Sequence, residues 1–283
     1  MYIENTIIPH IRMKQEQMTA TEKRIIEYLL NSGNLDFKTS LKDIATELNV
    51  SEALIVKVAK LLGFKGFREL RAILSEQLQQ QDIEHFELSQ KDTTQDLIDK
   101  VFSLSYQTIS EGKAIVSPEI MKQAARCFFN ARQRDLYAAG GSNTICDDIF
   151  HKFLRIGIRC NSYRDIHLMM MSASLLNEQD VVLVVSHSGK TSDLLRATKI
   201  AKENGAKIIC ITHSNISPIA ELADFVICTP APDSPLLGKN ASARILQLIL
   251  VDAFFVSVAK QDIVFSEQNL EKTSLVTEYF RKK

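Results

Sequence analysis

Hydrophobic positions along the chain follow two different patterns. Up to about Leu78 they recur every three to four residues in three short segments, which predicts three helices and almost no strand. After about Arg134, short apolar runs alternate with helical segments. Strands that are apolar throughout and separated by helices are typical of a parallel sheet covered on both faces. The change of pattern predicts an all-α N-terminal domain and an α/β C-terminal domain.

Start and stop signals frame the three predicted N-terminal helices. Thr19 and Glu22 form a capping box ahead of the first helix. Ser40 opens the second helix and Ser51 the third, because a serine hydroxyl can accept a hydrogen bond from an unpaired N–H of the first turn. Gly63 stands where a helix commonly ends in a left-handed residue.

The second and third helices have the spacing of a helix-turn-helix. This motif needs a small residue where the helices cross and apolar residues that lock the pair together. Ala45 is the small residue, and Asn49 tolerates the left-handed conformation of the turn. The combination predicts a domain that binds double-stranded DNA. The locking positions are Ile44, Leu48, Val50, Ile55 and Val58.

Residues on the outer face of the third helix, and in the loop after it, are the candidate DNA contacts, and all of them except a leucine are polar or basic. Their cations suit DNA phosphates, which position a protein and supply most of the affinity without reading sequence. A plain helical bundle with solvated lysines is the alternative, and the density of basic residues from Lys57 onward argues against it. The candidates are Ser51, Glu52, Leu54, Lys57, Lys60, Lys65 and Arg68.

In the C-terminal part, apolar runs predict strands at 136–139, 181–185, 207–212 and 225–228. Parallel sheets bind ligands at the carboxyl ends of their strands. Two loops there combine glycines with hydroxyl groups ahead of a helix. This suits a phosphate monoester, because glycine lets the backbone approach and the helix start offers N–H donors. The candidate contacts are Gly141 and Ser142 in one loop, and Ser186, His187, Ser188, Gly189 and Thr191 in the other.

Alternatives to a phosphate site are open for each loop taken alone, because a hydroxyl residue ahead of a helix is also ordinary capping chemistry. Neither loop fits a Walker loop or a dinucleotide fingerprint, so no nucleotide cofactor is expected. The six histidines form no His-x-x-x-His pair, so no metal is expected. The candidate bases lack an evident orienting partner, so no catalytic residue is expected. These bases are His187, His213, and Asp165 with His167.

Composition agrees with a folded globular protein, with 45% apolar and 24% charged residues. Lys plus Arg and Asp plus Glu both total 34, so contact with DNA must come from a local basic patch. The five cysteines are scattered without a Cys-x-x-Cys and suit buried free thiols in a reducing cytoplasm. The most apolar stretch, 245–259, is shorter than a membrane span and is expected to be a buried core helix. We therefore expect a cytoplasmic protein without a membrane segment.

Over nearly its whole length the chain resembles the RpiR family of bacterial regulators, in which a helix-turn-helix precedes a sugar isomerase (SIS) domain. The resemblance implies a helix-turn-helix domain at 1–80, a linker and connecting helix at 81–112, and a SIS domain at 113–283. On the DNA side it rests on residues 50–53 and 61–67. On the sugar side it rests on Ser142, the Ser-x-Ser-Gly-x-Thr of 186–191, Ser217-Pro218, Ala223-Asp224 and residues 241–244.

The family resemblance implies a transcriptional repressor of sugar catabolism genes whose operator binding is controlled by a sugar phosphate in the SIS domain. Segments 131–137 and 240–248 are closer to one member of the family, which makes ribose 5-phosphate and allose 6-phosphate the first candidate effectors. Homodimers or higher oligomers are expected, with pseudo-palindromic operators. Leu54, Lys57 and Ala138 depart from the family's usual residues, and the first two leave the operator sequence open. A phosphosugar isomerase or lyase on the same fold is the alternative.

Overall fold

A computed structural model of the chain describes residues 7–15, 17–30, 35, 39–80, 89–230 and 241–281. The chain forms two compact units, one containing Met1–Ile115 and the other Val116–Thr229 with Ala243–Lys283. Residues 81–88, in the predicted linker, and Asn240, in a segment that carries the resemblance, lie outside the described residues.

Within its described residues, the N-terminal unit has helices as its regular secondary structure and contains more of them than the sequence pattern predicts. Two of them, α1 and α5, come in addition to the three expected. Arg68, a candidate expected in the loop after the third predicted helix, consequently lies on a helix, and Arg71 lies on the same helix. The bounds are α1 Ile7–Gln15, α2 Ala20–Leu30, α3 Leu41–Glu47, α4 Glu52–Leu61, α5 Phe67–Gln80 and α6 Thr94–Ile115.

The predicted helix-turn-helix is present as α3 and α4. Asn49 has φ 51° in the turn, and Gly63, with φ 99°, follows the end of α4. Ile44, Ile55 and Val58 are each 0% exposed and lock the two helices into the core of the unit. The left-handed turn and the apolar lock are therefore confirmed.

Helix α6 belongs to the N-terminal unit by its packing. It contacts α1, and the Arg12 guanidinium Nε lies 3.0 Å from the Glu111 carboxylate. Glu111 is buried and also accepts a hydrogen bond from the Gln107 amide. A buried carboxylate needs such partners, so this pair fixes α6 to α1.

The C-terminal unit is built on a five-stranded parallel sheet with strand order β2-β1-β3-β4-β5. Three of its strands match the predicted bounds, and β1 begins two residues earlier than expected. Strand β2 was not predicted, because it is three residues long, polar and at the sheet edge. The bounds are β1 Arg134–Ala138, β2 Asn161–Tyr163, β3 Val181–Val185, β4 Lys207–Thr212 and β5 Phe225–Cys228.

Helices cover both faces of this sheet, as predicted. Leu183 and neighbouring side chains on one face pack on α7, α8 and α12, while Val182 and Val184 on the other face pack on α9, α10 and α11. The helices are α7 Pro118–Asn130, α8 Asn143–Arg155, α9 Ile166–Ser174, α10 Ser192–Glu203, α11 Pro218–Leu222, α12 Ala241–Ala259 and α13 Ile263–Arg281.

Helix α12 contains the stretch expected to be a buried core helix, and only one of its faces is buried. Leu250 and Phe254 are in the core, whereas Val256 is 63% exposed. The apolar run extends round the helix, but a helix on the outside of a sheet turns only one side toward it.

The cysteines are free thiols, as expected. Cys146, Cys160 and Cys210 are buried, and Cys127 and Cys228 are half-buried. Among the described residues, no helix is both long and apolar enough to cross a membrane.

Candidate functional site

Helix α4 presents most of the candidate DNA contacts on its outside. The Ser51 hydroxyl accepts a hydrogen bond from the Leu54 N–H at 3.2 Å, which fixes the start of the helix. Glu52 and Lys60 are exposed. Leu54, expected on the outer face, is instead half-buried against the core of the unit, because it lies one turn before the fully buried Val58.

Lys57 is exposed but already has a partner within the unit. Its ammonium Nζ lies 2.9 Å from a carboxylate oxygen of Glu22, whose side chain is only 6% exposed. The other carboxylate oxygen accepts the Thr19 N–H at 2.9 Å, as expected of the predicted capping box. The Thr19 N–H, and after it the Lys57 ammonium, hold the pKa of Glu22 below its ordinary value. Lys57 therefore differs from Lys60 in being held against α2.

The remaining basic candidates lie between α4 and the first turn of α5. Lys65 and Arg68 are exposed. The backbone N–H of Lys65 donates a hydrogen bond to the Glu69 carboxylate at 2.6 Å. The side-chain ammonium of Lys65 takes no part in that contact. Arg71 is different, because its guanidinium donates to the Thr39 carbonyl at 2.7 Å and is used within the unit.

The two glycine- and hydroxyl-rich loops lie side by side in the second unit. They follow β1 and β3, which are neighbours in the sheet although β2 separates them in sequence. The chain leaves β1 toward one edge of the sheet and builds the other edge from β3 onward. Such a switch point opens a crevice at the carboxyl ends of the strands, where ligands of these folds bind.

The hydroxyl groups in these loops have different uses. The Ser186 hydroxyl is buried and accepts the Gly189 N–H at 3.2 Å, so it shapes its own loop. The exposed Ser188 hydroxyl accepts the Lys190 N–H at 3.2 Å. Ser142 precedes α8 and Thr191 precedes α10, but neither hydroxyl bonds an N–H of its helix. Ordinary capping therefore does not account for Ser142 and Thr191.

Gly189 is required by packing as well as by conformation. Its φ is +61°, and a Cβ atom at this position would lie 2.0 Å from the Ser217 hydroxyl. Its carbonyl accepts the Ile219 N–H at 3.0 Å. The loop after β3 is therefore held directly against the loop after β4.

An arginine outside the predicted set of site residues lies beside the first loop. The Arg244 guanidinium Nη2 is 3.0 Å from the position of a Cβ built on Gly141. Arg244 comes from the first turn of α12, about one hundred residues later in the chain. The one sequence signal that could have indicated Arg244 as a site residue was its place in the segment 241–244, which resembles the family. That resemblance did not assign a role to the arginine.

The candidate histidines occupy different environments. The ring centres of His187 and His213 lie 5.1 Å apart. The backbone N–H of His213 donates a hydrogen bond to the backbone carbonyl of His187 at 2.9 Å. His167 is exposed, and Asp165 caps α9 by accepting the His167 and Leu168 N–H groups. Within the part of the chain that the structure describes, no group of three His, Cys, Asp or Glu residues is arranged to hold a metal.

Sequence comparisons identify the class of protein that this architecture defines. The family "Helix-turn-helix domain, rpiR family" matches residues 5–81, and the SIS domain family matches residues 127–257. The HTH-type transcriptional regulator RpiR of Escherichia coli (strain K12) is 58% identical over 275 residues, covering 97% of this chain and 93% of that protein. The chain belongs to the RpiR family of helix-turn-helix transcriptional regulators with a SIS domain.

Solved structures confirm the fold. The Vibrio vulnificus NanR protein complexed with ManNAc-6P has a TM-score of 0.62 at 21% identity, covering 97% of this chain and 98% of that one. The sugar isomerase domain of an RpiR transcription factor from Sphaerobacter thermophilus has a TM-score of 0.58 at 18% identity, covering 63% of this chain and 98% of that one. The expected SIS architecture is thus present in the C-terminal unit.

Proposed function

We propose that this regulator represses sugar catabolism genes and that a sugar phosphate, bound at the carboxyl ends of β1 and β3, controls its affinity for operator DNA. The observation that carries the proposal is the pair of hydroxyl groups on Ser142 and Thr191. They stand at two neighbouring helix starts beside a topological switch point and do not cap their helices.

Phosphate chemistry fits these two helix starts. The first N–H groups of a helix are unpaired and lie at the positive end of its dipole, so they attract an anion. Hydroxyl groups of Ser142, Ser188 and Thr191 add donors, and Gly141 lets the backbone approach. We propose that these residues, with Ser186, His187 and Gly189 shaping the β3 loop, form the site.

Arg244 adds a positive charge to the β1 loop, which has no cation of its own. A guanidinium is permanently charged and can donate two parallel hydrogen bonds to a phosphate. Its position beside Gly141 puts it at the β1 loop. We propose that Arg244 contacts the phosphate or an adjacent sugar oxygen, and that it makes the site depend on α12 as well as on the sheet.

On the DNA side, we propose that α4 enters the major groove and that flanking residues bind phosphates. Ser51 and Glu52 stand at the start of α4, which is the end that contacts base edges in helix-turn-helix proteins. Exposed cations at Lys60, Lys65 and Arg68 suit phosphate contacts. Leu54 and Lys57 stay candidates, although the first is half-buried and the second is paired with Glu22.

The effector proposal rests on relatives. NanR, the structural neighbour, was solved with a sugar phosphate, ManNAc-6P. The 58% identical relative is a transcriptional regulator, and on that ground we propose that this chain is not an isomerase or lyase. Ribose 5-phosphate and allose 6-phosphate stay the first candidates.

We propose that the protein acts as a homodimer in the cytoplasm. Three side chains of α12 and α13, Val256, Val264 and Leu275, are each at least 60% exposed. Exposed large apolar side chains favour association with a surface that covers them. A two-fold dimer would place two α4 helices on a pseudo-palindromic operator.

Operator affinity with and without each sugar phosphate, measured at one fixed salt concentration, tests the proposal. We expect one of the two sugars to change the affinity by about 5- to 150-fold. Ser188→Ala and Thr191→Val should remove the response and leave DNA affinity without the sugar unchanged. If none of the sugar phosphates tried changes the operator affinity of the wild-type protein, the proposal that a sugar phosphate controls DNA binding is wrong.

Catalysis is tested by incubating the protein with aldose and ketose phosphates and analysing the products by NMR. We expect no turnover above background. Turnover that disappears in a His187→Ala variant would assign the chain to the isomerase alternative.

A further inference from the structure

The outward face of α4 has an apolar centre. Ala53 is exposed and lies on the same side of the helix as Lys57 and Lys60, because residues three and four apart are neighbours. Val56, at the edge of this side, packs in part against the core of the unit and is in part exposed. The opposite side, which includes Ile55, is fully buried. Neither Ala53 nor Val56 is among the DNA contacts predicted from the sequence.

The cation beside this apolar centre is already engaged. Lys57 is bound to Glu22 on α2 at 2.9 Å, and the Glu22 carboxylate is almost fully buried. For Lys57 to bind a guanine edge, its ammonium would have to leave or share the Glu22 carboxylate. The structure thus reduces the part that Lys57 can take in reading bases.

We propose that Ala53 and Val56 read the operator by packing their methyl groups against the 5-methyl groups of thymines in the major groove. Each base pair presents a distinct pattern in that groove, and the thymine methyl is its one apolar feature, which small aliphatic side chains contact. The inference rests on the proposed entry of α4 into the major groove and adds the chemistry of the bases it reads.

Replacement of a thymidine in the duplex by deoxyuridine removes the 5-methyl group and changes nothing else at the edge of the base. A preferred duplex is first selected from a random pool with the full-length protein, and each thymine is then replaced singly. We expect at least one replacement in each half-site to lower the affinity about fourfold, the factor that corresponds to burial of one methyl group.

Two variants assign that loss to the named side chains. In Val56→Ala and in Ala53→Ser, thymine and deoxyuridine should bind equally at the position that each side chain contacts. Val56→Thr keeps the size of the side chain and replaces one methyl group, so it should also reduce the discrimination. Val101→Ala, at an exposed valine of α6, is the matched control and should keep the full effect.

The possible failures are distinguishable. A protein that selects no DNA sequence overturns the proposed DNA binding and this inference with it. Sequence-specific binding without any loss on deoxyuridine replacement overturns only the reading of thymine methyl groups. The same conclusion follows if the loss persists unchanged in both Val56→Ala and Ala53→Ser.

Discussion

The two units place hydroxyl residues at helix starts and use them differently. In the DNA-binding unit, Ser40 and Ser51 each accept a hydrogen bond from an N–H of the helix that follows. In the SIS unit, Ser142 and Thr191 stand at the starts of α8 and α10 without making that bond. A capping hydroxyl stabilises its own helix, whereas a hydroxyl that does not cap is available to a ligand.

Backbone conformation explains part of this difference. Ser51 has φ −76° and ψ 145°, the extended conformation that lets a capping side chain reach forward over the first turn. Ser142 has φ −71° and ψ −15°, because a 3₁₀ turn formed by Gly140–Ser142 precedes α8. A residue in a helical conformation does not make the usual capping bond. Residue type alone therefore does not distinguish a cap from a binding group.

The largest expected effect tests whether the β3 loop is fixed by packing. Gly189→Ala should destabilise the SIS unit by about 1–2 kcal/mol for the left-handed backbone and by about 1–3 kcal/mol more for the overlap with Ser217. Gly140→Ala is the control, because Gly140 also has a positive φ but a Cβ there meets no atom within 4 Å. Urea unfolding of both variants measures the difference. Equal losses would contradict the packing argument.

The next effect separates ligand binding from stability. Thr191→Val keeps the shape of the side chain and removes the hydroxyl, so sugar-phosphate affinity should fall about 10- to 150-fold, as expected for a hydrogen bond to a charged group. Stability should change by less than about 0.5 kcal/mol because the hydroxyl caps nothing. Calorimetric titration and urea unfolding provide the two measurements. A loss of stability with unchanged affinity would make Thr191 a structural residue.

The opposite result is expected at Ser51. Ser51→Ala removes the cap of α4 and should cost about 1 kcal/mol of stability in the DNA-binding unit. Amide hydrogen exchange at Leu54 reports on this cap directly. The sugar-phosphate affinity of Ser51→Ala should be unchanged. Ser142→Ala is the reciprocal control, because it should lower the sugar-phosphate affinity without changing stability. Faster exchange at Leu54 in both variants would remove the contrast between the two units.

The smallest effect concerns pH and the pair of Glu22 with Lys57. The fold lowers the pKa of Glu22, so its contribution to stability is present above the pKa of the unfolded chain and is lost as the pH falls through the folded pKa. Because Lys57 is largely exposed, Glu22→Gln should cost under about 1 kcal/mol at neutral pH. The free energies of unfolding of wild type and Glu22→Gln, measured at neutral and acidic pH, should therefore become equal as the pH falls. A difference that grows toward acid pH would contradict this assignment.

Much of the fold was predictable because the signals were local. The strands β3, β4 and β5 are continuous apolar runs, and Asn49 marks the turn of the helix-turn-helix by its tolerance of a positive φ. Strand β2 escaped prediction because it pairs at the sheet edge through three polar residues. Helices α1 and α5 were missed although their apolar residues, such as Ile8 and Leu70, lie in the same core as those of the predicted helices.

The sequence by itself determined the two domain classes, the helix-turn-helix and the two hydroxyl-rich loops, since each depends on the spacing of residues close together in the chain. Tertiary structure decided the strand order β2-β1-β3-β4-β5, which makes these loops neighbours, because strand order is set by packing of the whole sheet. It also placed Arg244 beside Gly141, paired Lys57 with Glu22 and left the methyl group of Ala53 on the outside of α4. Those contacts join residues far apart in the chain, and local patterns carry no information about them.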